Sequence, residues 1–293
     1  MGVTDLAFAS SAPPKTQVKI GVGRTGIDQP LTSHLPSMAG GYYPESSKVA
    51  KMVGTMDVNS FDDKIKFAVT YFWHTRARQL GEQKGRNTVD QGNRGAVTGG
   101  KQMDGFIELL TEIALQMGIP EKSIHTSANY LPGYFRPSKD WDFLISTPKG
   151  RLVCAIELKS QVGSFGNNFN NRTEESLGSS FDLATSLAEN SFPFSIMPWV
   201  GYFVLLEHTE ASTKKVKVQQ KLFKVRPEFE DTSYLDRYDL FCKRLMTKKL
   251  YNHASVIWSK PDLSFGDYSE ETCLKTFLRS YIANLGFRMD EFK

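Results

Sequence analysis

The stretch that most constrains this chain is Asp142 to Lys159, reading Asp-Phe-Leu-Ile-Ser, Thr-Pro-Lys-Gly, then Arg-Leu-Val-Cys-Ala-Ile-Glu-Leu-Lys. Two apolar runs flank a turn of Thr147, Pro148, Lys149 and Gly150, which predicts a β-hairpin. Alternation along the second run puts Leu152, Cys154, Ile156 and Leu158 on one face and Glu157 and Lys159 on the other. With Ser146 paired to Arg151 across the Thr147–Gly150 turn, Asp142 falls opposite Ala155. It is then a diagonal neighbour of Glu157, with Cβ atoms roughly 7 Å apart.

Two carboxylates at that spacing can share a hard cation, and a lysine two residues on can hold a water beside it. Asp142, fourteen intervening residues, then Glu157-Leu158-Lys159 resembles the metal-dependent nuclease motif of the restriction-endonuclease-like superfamily. Trp141 stands where that motif has proline. The same residues also read as a solvated strand face, because Glu-x-Lys tripeptides are common.

A chain of 293 residues with 40% hydrophobic content can bury a sizeable core. Its 36 basic and 32 acidic residues leave a formal charge of +4, which permits nucleic-acid binding without arguing for it. Cys154, Cys242 and Cys273 have neither metal-ligand spacing nor the pattern of a disulfide framework, so a reducing cytoplasm is the expected setting. No apolar run is long enough to suggest a membrane span.

Residues 1–58 are rich in Gly, Pro and Ser and read as an arm or extension preceding a nuclease and recognition domain over 59–293. Gly21-Val-Gly-Arg-Thr-Gly26 matches a dinucleotide fingerprint, but Pro30 follows and no amphipathic helix does, so a glycine-rich turn is expected. A helix is expected from Ser60, capped by Ser60 and Asp63, with a stripe of Ile65, Val69, Phe72, Arg76 and Leu80. After a polar loop from Gly85 to Lys101, a second helix opens at Met103–Phe106. Asp104 there is either a helix cap or a further acid near the metal. Arg136 and Lys139 precede Asp142 closely, as surface charges or as contacts to a phosphate.

Downstream of the hairpin, Asn167, Asn168, Asn170, Asn171 and Arg172 lie in an expected loop, ahead of a helix with Leu177, Phe181, Ala184 and Ala188 as its apolar stripe. Amides and guanidinium there suit base edges or phosphate, and an Asn-rich loop also suits simple turns. Val200–Leu206 reads as a buried strand of a central sheet. Lys214 to Arg226 holds six basic residues, a solvated face or a phosphate-tracking patch. Tyr234 to Lys293 reads as helices.

Several runs together resemble the XhoI-type type II restriction endonucleases over roughly residues 60–245. They are Gly99-Gly-Lys-Gln-Met-Asp-Gly-Phe106, Leu131-Pro-Gly-Tyr-Phe-Arg-Pro137, Trp141-Asp142, Ile156-Glu-Leu-Lys-Ser160, Ser164-Phe-Gly-Asn-Asn-Phe-Asn-Asn-Arg172 and Asp182-Leu-Ala-Thr185. The resemblance implies an α/β restriction-endonuclease-like core, a central mixed β-sheet flanked by helices. It also implies a homodimer that cleaves duplex DNA with Mg²⁺ at the palindrome CTCGAG, leaves 5′ overhangs and is paired with a DNA methyltransferase. On this reading Asp142, Glu157 and Lys159 are catalytic. The metal ligands are Asp142, Glu157 and the Leu158 carbonyl. The arm, outside the resemblance, raises the prospect of a longer site such as CCTCGAGG. A repair or structure-specific nuclease with the same hairpin, and a DNA-binding protein with a vestigial site, are the rival readings.

Overall fold

The computed structural model describes residues 56–85, 101–193, 196–220 and 222–293. The chain divides into units 1–34 and 35–293, and all described residues belong to the second. The arm's glycine motif and the centre of the 85–101 loop lie outside the described residues.

The first helix, α1 (Asp62–Gly85), does not start at Ser60. Asp57 caps a short 3-10 turn, Val58–Phe61, by accepting from the Asn59 amide at 2.9 Å, and α1 continues from it. Phe61, Ile65, Ala68, Val69 and Phe72 bury its inner face, Arg76 is buried with them, and Leu80 faces solvent. A second helix, α2 (Asp104–Gln116), packs on it through Phe106, Leu109, Leu110 and Ile113. Gly105 permits this closeness: a Cβ there would lie 2.8 Å from the Ala68 Cα.

Four short strands follow: β1 (Ile124–His125), β2 (Tyr130–Pro132), β3 (Ser138–Asp140) and β4 (Phe143–Ser146). Strand β5 (Leu152–Gln161) leads through helix α3 (Phe165–Ala188) to β6 (Trp199–Glu207). The short α4 (Glu210–Thr213) and the longer α5 (Tyr234–Thr247) then lead to β7 (His253–Ser259), β8 (Phe265–Asp267) and α6 (Leu274–Arg288). The main sheet has the order β1-β4-β5-β6-β7-β8. The pairs β5–β6 and β6–β7 are parallel and the remaining pairs antiparallel, while β2 and β3 form a separate hairpin.

Parallel strands need crossovers, and α3 and α5 supply them. They cover one sheet face, which carries Ala155, Val200, Tyr202, Val204 and Leu206. The helices α1, α2 and α6 cover the other, which carries Cys154, Ile156, Leu158, Phe203 and Leu205. Strand β6 is buried on both faces, as expected for a central strand. Truncating a fully buried ring such as Phe143 would cost about 3–5 kcal/mol.

Two expectations need correction. The segment after Tyr234 is not wholly helical: β7 and β8 lie between its helices. The run His253–Ser259 is short and buried on both faces, so it lacks the alternation that marks a strand. Leu177 is exposed on α3, Phe181 is half-buried and Ala188 is exposed. The inner face is made by Ser176, Ser179, Ser180, Leu183, Ala184 and Leu187, with serines where an apolar pattern would have been legible.

Candidate active site

The hairpin β4–β5 has a bulge. Ile145 pairs with Cys154 but Ser146 pairs with Leu152, leaving Val153 as the extra residue. The turn closes by a 2.8 Å bond from the Thr147 amide to the Arg151 carbonyl, so the four-residue loop and its register are not those expected. Leu152 consequently joins the cluster on the α3 side, away from Cys154, Ile156 and Leu158. Because Phe143 pairs with Ile156, one step outward puts Asp142 directly opposite Glu157, rather than opposite Ala155.

Asp142 stands at the entry to β4. Asn129, almost fully buried, fixes that entry. Its backbone carbonyl accepts from the Trp141 amide at 3.0 Å, its amide donates to Asp140 Oδ1 at 3.2 Å, and its side chain donates to the Asp142 carbonyl at 3.4 Å. Trp141, where the nuclease motif has proline, is 2% exposed and packs in the core beneath α3. Asp142 Oδ2 accepts from the Leu158 amide at 2.7 Å and lies 3.5 Å from Lys159 Nζ.

Glu157 is only 4% exposed. Its Oε1 is paired with Lys159 Nζ, and its Oε2 accepts from Lys139 Nζ at 2.6 Å. Lys139 also donates to the Asp140 carbonyl at 2.9 Å and sits 4.8 Å over the Trp141 ring. Two carboxylates and two ammonium groups therefore form one neutral cluster. Burial pushes the Asp142 carboxyl above the usual range, and Glu157 adds to this against Lys159, the Leu158 amide and Lys139. Burial works the same way on Glu157, but Lys159 and Lys139 outweigh it and hold that carboxyl low. Burial disfavours the Lys159 charge, yet Glu157 and Asp142 overcome this and raise its pKa.

Other sequence-marked residues are placed differently. Arg136 does not reach toward Asp142. Its Nε donates to Asp182 Oδ2 at 2.7 Å, and the Tyr134 and Phe135 amides donate to Asp182 Oδ1, each at 2.8 Å. Asp182, on α3, thus clamps the Leu131–Pro137 segment, and sequence reading missed it as a site-shaping residue. Gly133 is required there, since a Cβ would meet the Arg136 carbonyl at 2.5 Å and Asp182 Oδ2 at 2.7 Å. Asn129 was likewise missed; a buried asparagine ahead of an acidic strand entry carries no distinctive spacing.

Asp104 is the first residue of α2 with no side-chain capping bond of the preceding residue. Burial raises its pKa, and the charge acting on it is Lys101, not either hairpin carboxylate. Asn167, Asn168, Asn170, Asn171 and Arg172 are not in a loop but in the opening turns of α3. A sharp turn at Gly163 and Ser164, both with positive φ, starts that helix two residues earlier than the asparagines. Asn167, Asn170 and Asn171 are exposed, whereas Asn168 is half-buried. Arg172 donates to Glu175 at 2.6 Å, its Nε is buried among protein atoms, and its charge bears on Lys159, Tyr202 and Tyr238. It is a packed side chain, unlike the open reader expected.

Among the described residues no three His, Cys, Asp or Glu side chains converge as a closed metal cage. The hairpin pair instead offers oxygen donors only, with the Asp142 side chain 37% exposed. That donor set fits Mg²⁺, which binds through one or two carboxylates and keeps waters and phosphate oxygens as further ligands.

A six-stranded mixed sheet with helices on both faces, carrying an acidic hairpin at one side, has the architecture of the restriction-endonuclease-like nucleases. The model of the family "Restriction endonuclease XhoI" matches residues 82–270. The type II restriction enzyme BstVI of Geobacillus stearothermophilus is 49% identical over 176 residues, covering 58% of this chain and 79% of that protein. The type II restriction enzyme XhoI of Xanthomonas vasicola is 39% identical over 197 residues, 66% of this chain and 78% of that protein. The type II restriction enzyme AbrI of Azospirillum brasilense is 40% identical over 163 residues, 55% and 72% of the respective chains. No solved structure matches. The chain belongs to the XhoI restriction endonuclease family.

Proposed function

We infer that this protein is a type II restriction endonuclease that hydrolyses duplex DNA with Mg²⁺ at a palindrome containing CTCGAG, leaving 5′ overhangs. The observation that carries the reading is the meeting of Asp142, Glu157 and Lys159 at one end of the β4–β5 hairpin. Family membership supports the substrate class and the resemblance supports the site.

Asp142 and Glu157 would hold the ion, with the Leu158 carbonyl as a further ligand. When bound, Mg²⁺ neutralises charge on the phosphate and acidifies water. Lys159 orients the attacking water and stabilises the negative charge that develops on the phosphorus oxygens. Lys139, on the far oxygen of Glu157, keeps that carboxylate ionised and fixes its rotation. Such preorganisation matters because a water misplaced by even 1 Å loses about a hundredfold in rate.

A palindrome presents the same edge twice, so a two-fold dimer matches it with one set of contacts. Asn167, Asn170 and Asn171 read base edges, a role supported by their exposure on α3. The arm, residues 1–58, contacts flanking base pairs and lengthens the site toward CCTCGAGG. In the cell the enzyme works beside a methyltransferase that protects host sites. The test is digestion of a defined plasmid in Mg²⁺, followed by sequencing of the product ends and a panel of CTCGAG flanks. A smear in place of discrete fragments would point to a non-specific nuclease, and ends mapping elsewhere would refute the assigned site.

A further inference from the structure

The two most exposed large apolar side chains among the described residues are neighbours: Leu222 at 83% and Phe223 at 80%. They lie within residues 214–226, an interval with no acidic residue, alongside Lys214, Lys215, Lys217, Lys224 and Arg226. The described residues of the interval are irregular beyond α4 but fixed at the root. The Val216 amide donates to the Thr232 carbonyl at 2.8 Å. Arg237 donates to the Val216 carbonyl and to Thr232 Oγ1, each at 3.0 Å. The Arg237 guanidinium lies 5.4 Å over the Tyr234 ring, and Tyr234 in turn stacks on Phe165 at 5.9 Å. Phe165 opens α3, the helix that presents the asparagines and directly follows the strand of Glu157 and Lys159. The loop is thus moored to the end of the molecule that carries the candidate site, while its apolar pair stands in water.

An exposed apolar pair is unfavourable in water. Lys215 and Lys217 share the root of the interval with Glu230 and Asp231, but Lys224 and Arg226 follow the pair directly, and an apolar pair beside a basic strip suits a polyanion with an apolar interior. Duplex DNA has that composition: phosphates outside, a base stack within. Leucine and phenylalanine are side chains that enter base steps as wedges and unstack them. We propose that Leu222 and Phe223 form a wedge that enters a base step of bound duplex DNA, with Lys215, Lys217 and Lys224 seated on the adjoining phosphates. This rests on the duplex-DNA reading above.

The test uses the full chain with Ca²⁺ in place of Mg²⁺ and a CTCGAG duplex carrying 2-aminopurine at each adenine position in turn, flanks included. Wild-type protein is expected to raise fluorescence at one step as the base unstacks. Phe223→Ala and Leu222→Ala should remove that rise and weaken binding roughly tenfold, with the salt dependence unchanged. Lys215→Ala or Lys224→Ala should instead lower the slope of log affinity against log salt by about one. Unchanged fluorescence and affinity in both apolar variants would overturn the wedge while leaving the nuclease reading intact. Loss of self-association in sedimentation, or loss of binding to phosphatidylserine vesicles with DNA binding untouched, would overturn it by assigning the pair to another partner. Failure of the wild type to bind any duplex would refute the nuclease reading itself.

Discussion

Lys139 Nζ lies 2.6 Å from Glu157 Oε2, so the oxygen of Glu157 not taken by Lys159 is neutralised by a residue from a different hairpin. Eighteen positions apart in sequence, the two are the cross-link between the β2–β3 hairpin and the β5 strand. Lys139→Ala should therefore act on the carboxylate rather than on DNA. Cleavage is expected to fall ten- to a hundredfold, with the salt dependence of DNA binding unchanged. A reduced salt slope would restore Lys139 as a phosphate contact.

Asp142→Asn, Glu157→Gln and Lys159→Ala should each abolish cleavage at any Mg²⁺ concentration. Glu157→Ala is the harsher change. Both Glu157 changes remove the charge that pairs two ammonium groups, a loss of about 3–5 kcal/mol, and Glu157→Ala adds a buried gap where Gln keeps the volume and a carbonyl acceptor. Denaturant unfolding should show Glu157→Ala clearly less stable than Glu157→Gln. Near-normal cutting by Lys159→Ala would refute the assignment of the hairpin.

Asp182 accepts three bonds while almost fully buried. Asp182→Ala should lose about 2–4 kcal/mol of stability through the unsatisfied amides and the freed Arg136. Arg136→Ala, removing only a half-exposed partner, should lose about 1 kcal/mol or less. Equal losses in the two variants would show that the backbone amides contribute little to the clamp.

Acid sensitivity should carry a signature of His253. Burial lowers its pKa from 6.5 to about 4. Well above pH 6.5 the ring is neutral in both states and contributes nothing to pH dependence. As pH falls from there toward 4, the unfolded chain takes up the proton first and stability is lost. His253→Gln should flatten this part of the profile, read from denaturation midpoints at pH 7 and pH 4.5. The Glu157 carboxyl, held low by its lysines, adds a loss at still lower pH, and Asp142, held high, opposes it.

The meeting of the hairpin residues was more legible in the sequence than the local geometry was. Asp142, Glu157 and Lys159 stand out because their spacing survives as a pattern, and the neighbouring asparagines because four in so few residues are unusual. The bulge at Val153 has no such signal: a one-residue slip in register leaves every residue type in place. The pairing of Lys139 and Arg136 was also hidden, since a lysine near an acid reads equally as partner, phosphate contact or surface charge. Arg172 and the serine-lined face of α3 escaped for a related reason. Burial of polar side chains is decided by what packs against them, here Tyr202 and Tyr238, which lie 30 and 66 residues away.

The bulged hairpin also bears on when the site comes into being. Hairpins close in roughly 1–10 μs, whereas parallel partners wait for crossovers whose closure entropy must be met first. β5 and β6 are separated by all of α3, and β6 and β7 by α5 and the basic loop. Asp142 and Glu157 are thus expected to become neighbours while β6 and β7 are still unpaired, two like charges meeting before the core that later encloses them. Lys159 travels with Glu157 on the same strand, so a neutralising charge is present from the first encounter. Mutations at Val153 should accordingly slow folding, whereas mutations at Val256 in β7 should mainly hasten unfolding, a contrast that chevron analysis would register.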